Sequence, residues 1–357
     1  MKILEWFNKN YQNTINEMKE CNHNLSDTDL SPYHAEGTIW THTMMVYSQL
    51  LPTASNDLKL AALLHDIGKP YCQVIKEGKG RISFTGHEHY TSFKAIDVLN
   101  KFEEEMGEIN KENILYAINY HDLLHKSVKS TEDGIIFIPE ENKIKLNEMF
   151  DVNLDLYELL FDLSYADMRG RISKDMALSI EKYEVLRNYI PYRGEQTKKT
   201  KELKAHFLIG LPGSGKSTKA TKLLKDNPDL VYISIDDEIM NLNKYGFSYN
   251  SAWSKERQKK ATKVILDKML DCIDNKKSFI MDAGNFSEKI RQRRLNHVPN
   301  SYERVAHVML ASESFIKNEM KKRDDKNVPF ENIKDMSKDF LYPSLFEFDR
   351  IETNIIN

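Results

Sequence analysis

The chain has 357 residues, with 51 Lys and Arg against 54 Asp and Glu and a hydrophobic fraction of 40%. That length exceeds one compact nucleotide-binding unit and suits two domains, and no stretch approaches the length of an apolar membrane span. The opening MKILEWFNKN lacks the apolar segment of a secretory signal, and Cys21, Cys72 and Cys272 are scattered without metal-ligand spacing, so a cytoplasmic protein with free thiols is expected.

Along the first half, the segment TIWTHTMMVYSQLL is patterned as an amphipathic helix carrying His42. A second helical pattern over residues 56 to 69, NDLKLAALLHDIGK, places Leu60, Leu63, Leu64 and Ile67 on an apolar face, with His65 and Asp66 near its end. His87 and His89 follow in GHEHYTS, His121 and Asp122 in INYHD, and Asp167 in LSYADMRGR. Imidazoles and carboxylates from several helices can converge on one or two ions of Mn, Co, Ni, Fe or Zn inside a bundle. The chain has no Ser-His-Asp or Cys-His signature competing with that chemistry.

The polar run RGEQTKKTKELK at 193 to 204 reads as a boundary between two patterned regions. Residues 201–357 carry 28 basic and 23 acidic residues, net +5, which leaves 23 and 31, net −8, for residues 1–200. We expect domains at 1–195 and 205–357 joined by a linker at 196–204.

The second half opens on FLIGLPGSGKST, in which Gly210, Gly215, Lys216 and Ser217 complete the P-loop pattern between a strand-like and a helix-like segment. Gly210, Gly213, Ser214 and Gly215 let backbone N–H groups turn toward phosphates, and Lys216 reaches the β and γ oxygens. Ser217 ligates Mg²⁺, and Thr218 continues the helix whose N-terminus faces the anion. ATP or another nucleoside triphosphate, with Mg²⁺, is the expected cofactor. A strand over VYISI is expected to end in Asp236 and Asp237, so that Asp236 meets an acceptor hydroxyl; Asp237, next along an extended chain, would point the other way. A further strand, KSFIMD, ends in Asp282, a carboxylate for Mg²⁺ or its waters. Arg323, in EMKKRDDKNVP, suits a lid that brings a guanidinium to the transferring phosphoryl group.

In the first 190 residues the order His42, His65-Asp66, His87, His121, Asp167, with HDIGK at its centre, resembles the HD-domain superfamily of metal-dependent phosphohydrolases. The wording HAEGTIWTHT, LLHDIGKP, GHE and ADMRGR is similar to the HD module of bacterial tRNA nucleotidyltransferases. The resemblance implies an all-α helical bundle with 2′,3′-cyclic phosphodiesterase or 2′-phosphatase activity. His42, His65, Asp66 and Asp167 would hold one metal, and His87 and His121 would extend the site toward a second. Lys69 would either neutralise a phosphate oxygen or cap its helix, and His34 and His89 would either contact substrate or serve structure.

Residues 205 to 345 resemble the kinase domain of phage and bacterial 5′-OH polynucleotide kinases, an α/β fold with a parallel sheet. The resemblance assigns Asp236 as general base, Lys216 and Arg323 as phosphoryl-stabilising cations and Asp282 as the carboxylate of the third motif strand, with Lys326-Asn327-Val328-Pro329 following. That family has an arginine three residues after the base, where this chain has Ile239, and Arg291, Arg293 or Arg294 are the candidates to replace it. The fusion order resembles the HD-Pnk family of bifunctional nucleic-acid end-healing enzymes, which implies RNA or DNA ends as substrates and a separate ligase as partner, with no membrane association. The alternatives are a small-molecule or nucleoside kinase fused to an HD nucleotidase, and a kinase whose HD domain is a non-catalytic sensor.

Overall fold

The computed structural model describes residues 2–26, 31–76, 81–192, 201–242, 255–322 and 328–356. They form two compact units, Met1–Glu195 and Gln196–Asn357.

The first unit is helical. Its elements are α1 (Ile3–Asn10), α2 (Gln12–Glu20), α3 (Ile39–Ser48), α4 (Asn56–Leu64), the short α5 (Lys69–Cys72), α6 (His87–Met106), α7 (Lys111–Asn119), α8 (Leu123–Ser127), α9 (Glu140–Phe150), α10 (Leu154–Arg169) and α11 (Met176–Arg187). Two short antiparallel hairpins, β1 (Val74–Lys76) with β2 (Arg81–Ser83) and β3 (Lys129–Ser130) with β4 (Ile136–Phe137), interrupt the bundle, a feature the helix-patterned reading did not include. Helix α4 is the centre of the core. Leu60, Ala61, Ala62, Leu63 and Leu64 are all fully buried, and α4 packs against α3, α7 and α10. Its start is set by Ser55, whose side chain accepts from Leu58 N and satisfies one of the orphan amides of the first turn. Asn110 and Asn153 cap α7 and α10 in the same way. The end of α10 comes very close to α3. A Cβ on Gly170 would lie 2.6 Å from Val46 Cα, so only glycine permits the approach that brings Asp167 against His42.

The second unit is an α/β layer structure. Strands β5 (Leu203–Ile209), β6 (Val231–Ser234), β7 (Phe279–Asp282), β8 (Tyr302–Ala311) and β9 (Arg350–Ile356) form one all-parallel sheet in the order β6-β7-β5-β8-β9. The connecting helices are α12 (Lys216–Asp226), α13 (Ile235–Asn241), α14 (Lys255–Asp274), α15 (Glu288–Leu295), α16 (Glu313–Lys321) and α17 (Phe330–Ser337). Central strand β5 is buried from Ala205 to Ile209, as expected of a strand covered on both faces, and is apolar there except for His206.

Two histidines interrupt the apolar strands. His206 Nδ1 lies 2.8 Å from His307 Nε2, and His307 Nδ1 lies 3.0 Å from Glu352 on β9. Burial, aided by the cations Lys204 and Arg350, lowers the His206 pKa to about 4. Burial and the neighbouring His206 ring lower that of His307 to about 3. The unfolded chain takes up protons on these rings as the pH falls through about 6.5. The folded chain resists until much lower pH, so stability contributed by the neutral pair is lost as acidity rises from that point. Urea unfolding should therefore show a lower midpoint at pH 5 than at pH 7, and His307→Asn should reduce the difference.

Candidate active sites

Six of the side chains named from the first half meet at one point. His42, buried on α3, has Nε2 2.9 Å from Asp167 Oδ1 and 3.3 Å from His65 Nε2. Asp66 lies between two groups of ligands. Its Oδ2 is 3.2 Å from His65 Nε2 and 3.6 Å from His42 Nε2, while its Oδ1 is 3.3 Å from His87 Nε2. The donor atoms of His42, His65 and Asp167 lie within 4.8 Å of one another, and so do those of Asp66, His87 and His121.

The rings are aimed. His65 Nδ1 sits 2.9 Å from Ala62 O, His87 Nδ1 2.9 Å from Phe84 O and His121 Nδ1 2.7 Å from Ile118 O. In each case a carbonyl three residues upstream takes the Nδ1 proton and leaves the Nε2 lone pair facing the centre, the tautomer a metal ligand needs. His42 differs: its Nδ1 lies 2.9 Å from Glu36 Oε1 as an ion-pair contact and not a well-directed hydrogen bond. Among the described residues, both Asp66 oxygens and His87 Nε2 are buried without a well-directed hydrogen bond. Such atoms are costly unless something completes them. The set therefore fits one or two divalent ions.

Without an ion the site balances itself with protons. Burial acts to lower the His42 pKa, but its contacts with Asp167 and Glu36 carry it to about 9. His87 is raised likewise to about 9 against its burial, by Asp66 and Glu88. Asp66 and Asp167 resist their own burial and stay well below the usual carboxylate range because His65 with Lys69, and His42, lie against them. Metal loading at pH 7 must displace protons from His42 and His87, so apparent affinity should rise with pH up to about 9. Calorimetric titration with Mn²⁺ in buffers of different ionisation enthalpy should report that release.

Lys69 does not serve as a simple helix cap. Although first in α5, it is buried, with Nζ 2.7 Å from Asp66 Oδ2 and 3.2 Å from His23 Nε2. His34 donates from Nδ1 to Glu36, 2.9 Å away, and stacks on His23, with ring centroids 4.4 Å apart. His23, His34 and Glu36 also group closely enough to hold a cation, with the Lys69 ammonium 3.2 Å from His23 Nε2. His89 is half-buried on α6 with its Nε2 3.9 Å from Glu88. A cavity of about 700 Å³ opens onto this cluster, lined by His87, His121 and Asp167 on one side and by Lys69, Lys126 and Arg171 among others. Sequence reasoning missed His23 and Glu36. Glu36 stands in the HAEG segment already singled out for His34, six residues before His42.

In the second unit the P-loop joins β5 to α12. Gly213 and Gly215 have φ of +82° and +84°, the left-handed region that glycine enters without strain, and Gly215 is the N-cap of α12. Gly210 runs hard against β8, where a Cβ would meet Met309 O at 2.6 Å. Lys216 Nζ donates to Leu211 O at 2.9 Å, folded back over the loop. Ser214 is buried, while Ser217 and Thr218 are exposed at the start of α12. Asp282 ends β7, in register with Ser234 of β6, and accepts from Tyr232 Oη at 3.0 Å. The P-loop, Asp282 and the end of β6 thus share the carboxyl edge of a parallel sheet, where ligands of such folds bind.

Three expectations need correction. Strand β6 stops at Ser234, and Asp236 and Asp237 belong to the first turn of α13, so they do not sit on extended chain. Ser234 caps that helix by accepting from Asp237 N at 3.2 Å, which draws the backbone into a turn one residue before the expected strand end. Successive side chains there diverge by about 100°, not 180°; Asp236 is half-buried and Asp237 exposed. Arg291 and Arg294 are not available to grip an acceptor phosphate. Arg291 is fully buried in a two-pronged ion pair with Glu347, both contacts at 2.8 Å, and Arg294 is bound to Ala283 O and Asn285 Oδ1. Arg293 is exposed, and Ile239 is buried against Ala261. Arg323, with Lys326 and Asn327, lies outside the described residues, as do positions 193–200 around the expected linker.

All three cysteines are buried and none is in a disulfide, and no described helix is long and apolar enough to cross a membrane.

Residues 39–145 match a protein-family model described as an HD domain, and residues 206–343 match one described as an AAA domain. No curated protein matches the chain significantly. Among solved structures, one of the Pnkp1/Rnl/Hen1 RNA repair complex is similar at 21% identity over 40% of this chain and 46% of that chain, with a TM-score of 0.34. A sugar kinase from a Janibacter species is similar at 17% identity over 43% of this chain and 85% of that chain, with a TM-score of 0.33. A gluconokinase from Sinorhizobium meliloti 1021 is similar at 13% identity over 44% and 85%, also with a TM-score of 0.33. The chain thus joins a helical region similar to HD domains to an α/β P-loop domain similar to AAA domains.

Proposed function

We propose that the chain heals broken nucleic-acid ends, phosphorylating a 5′-OH through the P-loop unit and hydrolysing a 2′,3′-cyclic phosphate or 2′-phosphate through the HD unit. The observation that carries the reading is Asp66, buried between two convergent groups of His and Asp donors beside a cavity of about 700 Å³, in the same chain as a complete P-loop.

His42, His65, Asp66 and Asp167 would hold one divalent ion, and His87 and His121 a second shared through Asp66. Such ions bring the pKa of bound water toward neutrality and stabilise phosphoryl oxygens. The three upstream carbonyls hold the imidazoles of His65, His87 and His121 in the liganding tautomer, and Lys69 keeps a positive charge at the cavity wall. In the kinase, the P-loop amides and Lys216 hold the triphosphate and Ser217 with Asp282 organises Mg²⁺. Asp236 takes the proton of the acceptor hydroxyl, and Arg323 supports the transferring phosphoryl group. A separate ligase, in the cytoplasm, would seal the product ends.

A second reading draws on one observation: Ile239 is core, and two of its three candidate substitutes are committed to buried structural bonds, so among these described candidates only Arg293 stays exposed for an acceptor phosphate. A smaller acceptor, such as a nucleoside or sugar, would need fewer cations. Incubating nicked RNA bearing 2′,3′-cyclic-phosphate and 5′-OH ends with ATP and divalent metals, alongside nucleosides and sugars, separates the two. Phosphate transfer to small acceptors alone would remove the end-healing reading.

Asp236→Asn should lower kcat on the order of 10²-fold with little change in ATP affinity, because a general base acts on the hydroxyl proton and not on the nucleotide. Asp237→Asn should be milder, since that carboxylate faces solvent about a third of a helical turn away. Single-turnover phosphorylation and ATP titrations of both variants check this, and a greater loss in Asp237→Asn would move the base assignment.

A further inference from the structure

The cavity beside the His and Asp cluster is far larger than a phosphate group, and its wall nearest His42 is aromatic. His23 and His34 stack with planes 10° apart, and Phe84 meets His23 edge-on at 5.5 Å. Aliphatic side chains would fill a packing role without bringing polar atoms that must be satisfied. Here the polar atoms are used to lock the rings. His23 Nδ1 is 3.2 Å from Gly37 O, its Nε2 is 3.2 Å from Lys69 Nζ, and His34 Nδ1 is held by Glu36. The result is a rigid planar surface. Its outer member, His34, retains 22% side-chain exposure. The His34 ring centroid is 5.1 Å from that of His42, and His34 lines the same cavity as His87, His121 and Asp167.

We propose that His34, backed by His23, which Phe84 meets edge-on, is a nucleobase-stacking subsite that selects nucleoside phosphoesters over base-free ones. The proposal rests on the reading of the HD unit as a phosphoesterase and names what that site grips besides phosphate. Unpaired bases at strand ends present an open π face, and histidine and phenylalanine rings are among the side chains that receive them. Stacking tolerates any base, so selection would be for the presence of a base and not its identity. Rings already pinned lose little freedom when the base arrives, which favours affinity.

The test compares the full-length, Mn²⁺-loaded enzyme on adenosine 2′,3′-cyclic phosphate and on methylriboside 2,3-cyclic phosphate, which lacks the base. Calorimetric binding of adenosine 3′-phosphate to metal-free protein supplies a readout independent of turnover. The wild type should prefer the nucleotide by on the order of 10-fold in kcat/KM, the gain expected of one stacked base. His34→Ala and Phe84→Ala should erase most of that preference through KM, and His34→Phe, which keeps a ring but no nitrogen, should restore it. Equal use of both esters by the wild type would overturn the proposal, as would His34→Phe behaving like His34→Ala. If neither ester is hydrolysed yet adenosine 3′-phosphate binding still depends on His34 and Phe84, the phosphoesterase reading falls and the subsite stands. Absence of both hydrolysis and ring-dependent binding overturns the two together.

Discussion

Lys216→Ala abolishes ATP-dependent phosphorylation, by on the order of 10³-fold, while metal-dependent phosphoesterase activity continues: this is the expected result for the kinase unit. The ammonium is the one cation the P-loop itself supplies, and its bond to Leu211 O shows it poised over the loop that Gly213 and Gly215 shape. Alanine continues a helix well at the first position of α12, so loss of activity should come without loss of fold. A variant retaining near wild-type turnover would show that the loop does not hold a transferable phosphate. The independence of the second activity follows from chemistry, because the two sets of donors belong to different compact units.

Asp66→Ala is expected to do the converse and to cost stability as well. The carboxylate is fully buried, with Lys69 at 2.7 Å and the Nε2 atoms of His65 and His87 at 3.2 and 3.3 Å. Removing it leaves the buried Lys69 ammonium short of its closest counter-charge, which typically costs about 3–5 kcal/mol. It also takes the carboxylate from the Asp66, His87 and His121 group and removes the oxygen that lies 3.2 Å from His65 Nε2. Phosphoesterase activity and bound metal should both disappear, with kinase activity on a 5′-OH oligonucleotide retained. Because this variant is open to misfolding, His65→Ala provides a second measurement: it removes a donor without stranding a charge. Retained phosphoesterase activity and unchanged metal content in His65→Ala would refute the assignment of the cluster.

Legibility in the sequence followed the range of the forces involved. The P-loop is local: glycines at set offsets, an apolar strand before and a helix after, all within residues 203–226. The metal-ligand candidates were visible as residue types, because few other roles bring His-Asp pairs into helix-patterned segments. Glu36 and His23 were not, since their meaning lies in contacts: an ion-pair contact for His42, and a stacking partner and hydrogen-bond acceptor for residues 11 and 46 positions away. The capping signal that misplaced Asp236 was present in Ser234-Ile235-Asp236-Asp237, where serine three residues before a carboxylate marks a helix start. β-branched Val231, Ile233 and Ile235 outweighed it in a strand reading.

By itself, the sequence determined that this protein carries two units, one patterned as helices rich in histidine and aspartate and one built on a phosphate-binding loop, because periodicity and loop chemistry act over a few residues. Only the tertiary structure decided which histidines point their Nε2 atoms at a common centre, that Asp66 stands between two groups of donors, and that Arg291 and Arg294 are structural. Those outcomes depend on close approaches such as Gly170 to Val46 and on ion pairs such as Arg291 with Glu347, 56 residues apart. Residue type alone does not distinguish a buried arginine already paired from one that waits for a phosphate; the carboxylate folded against it does.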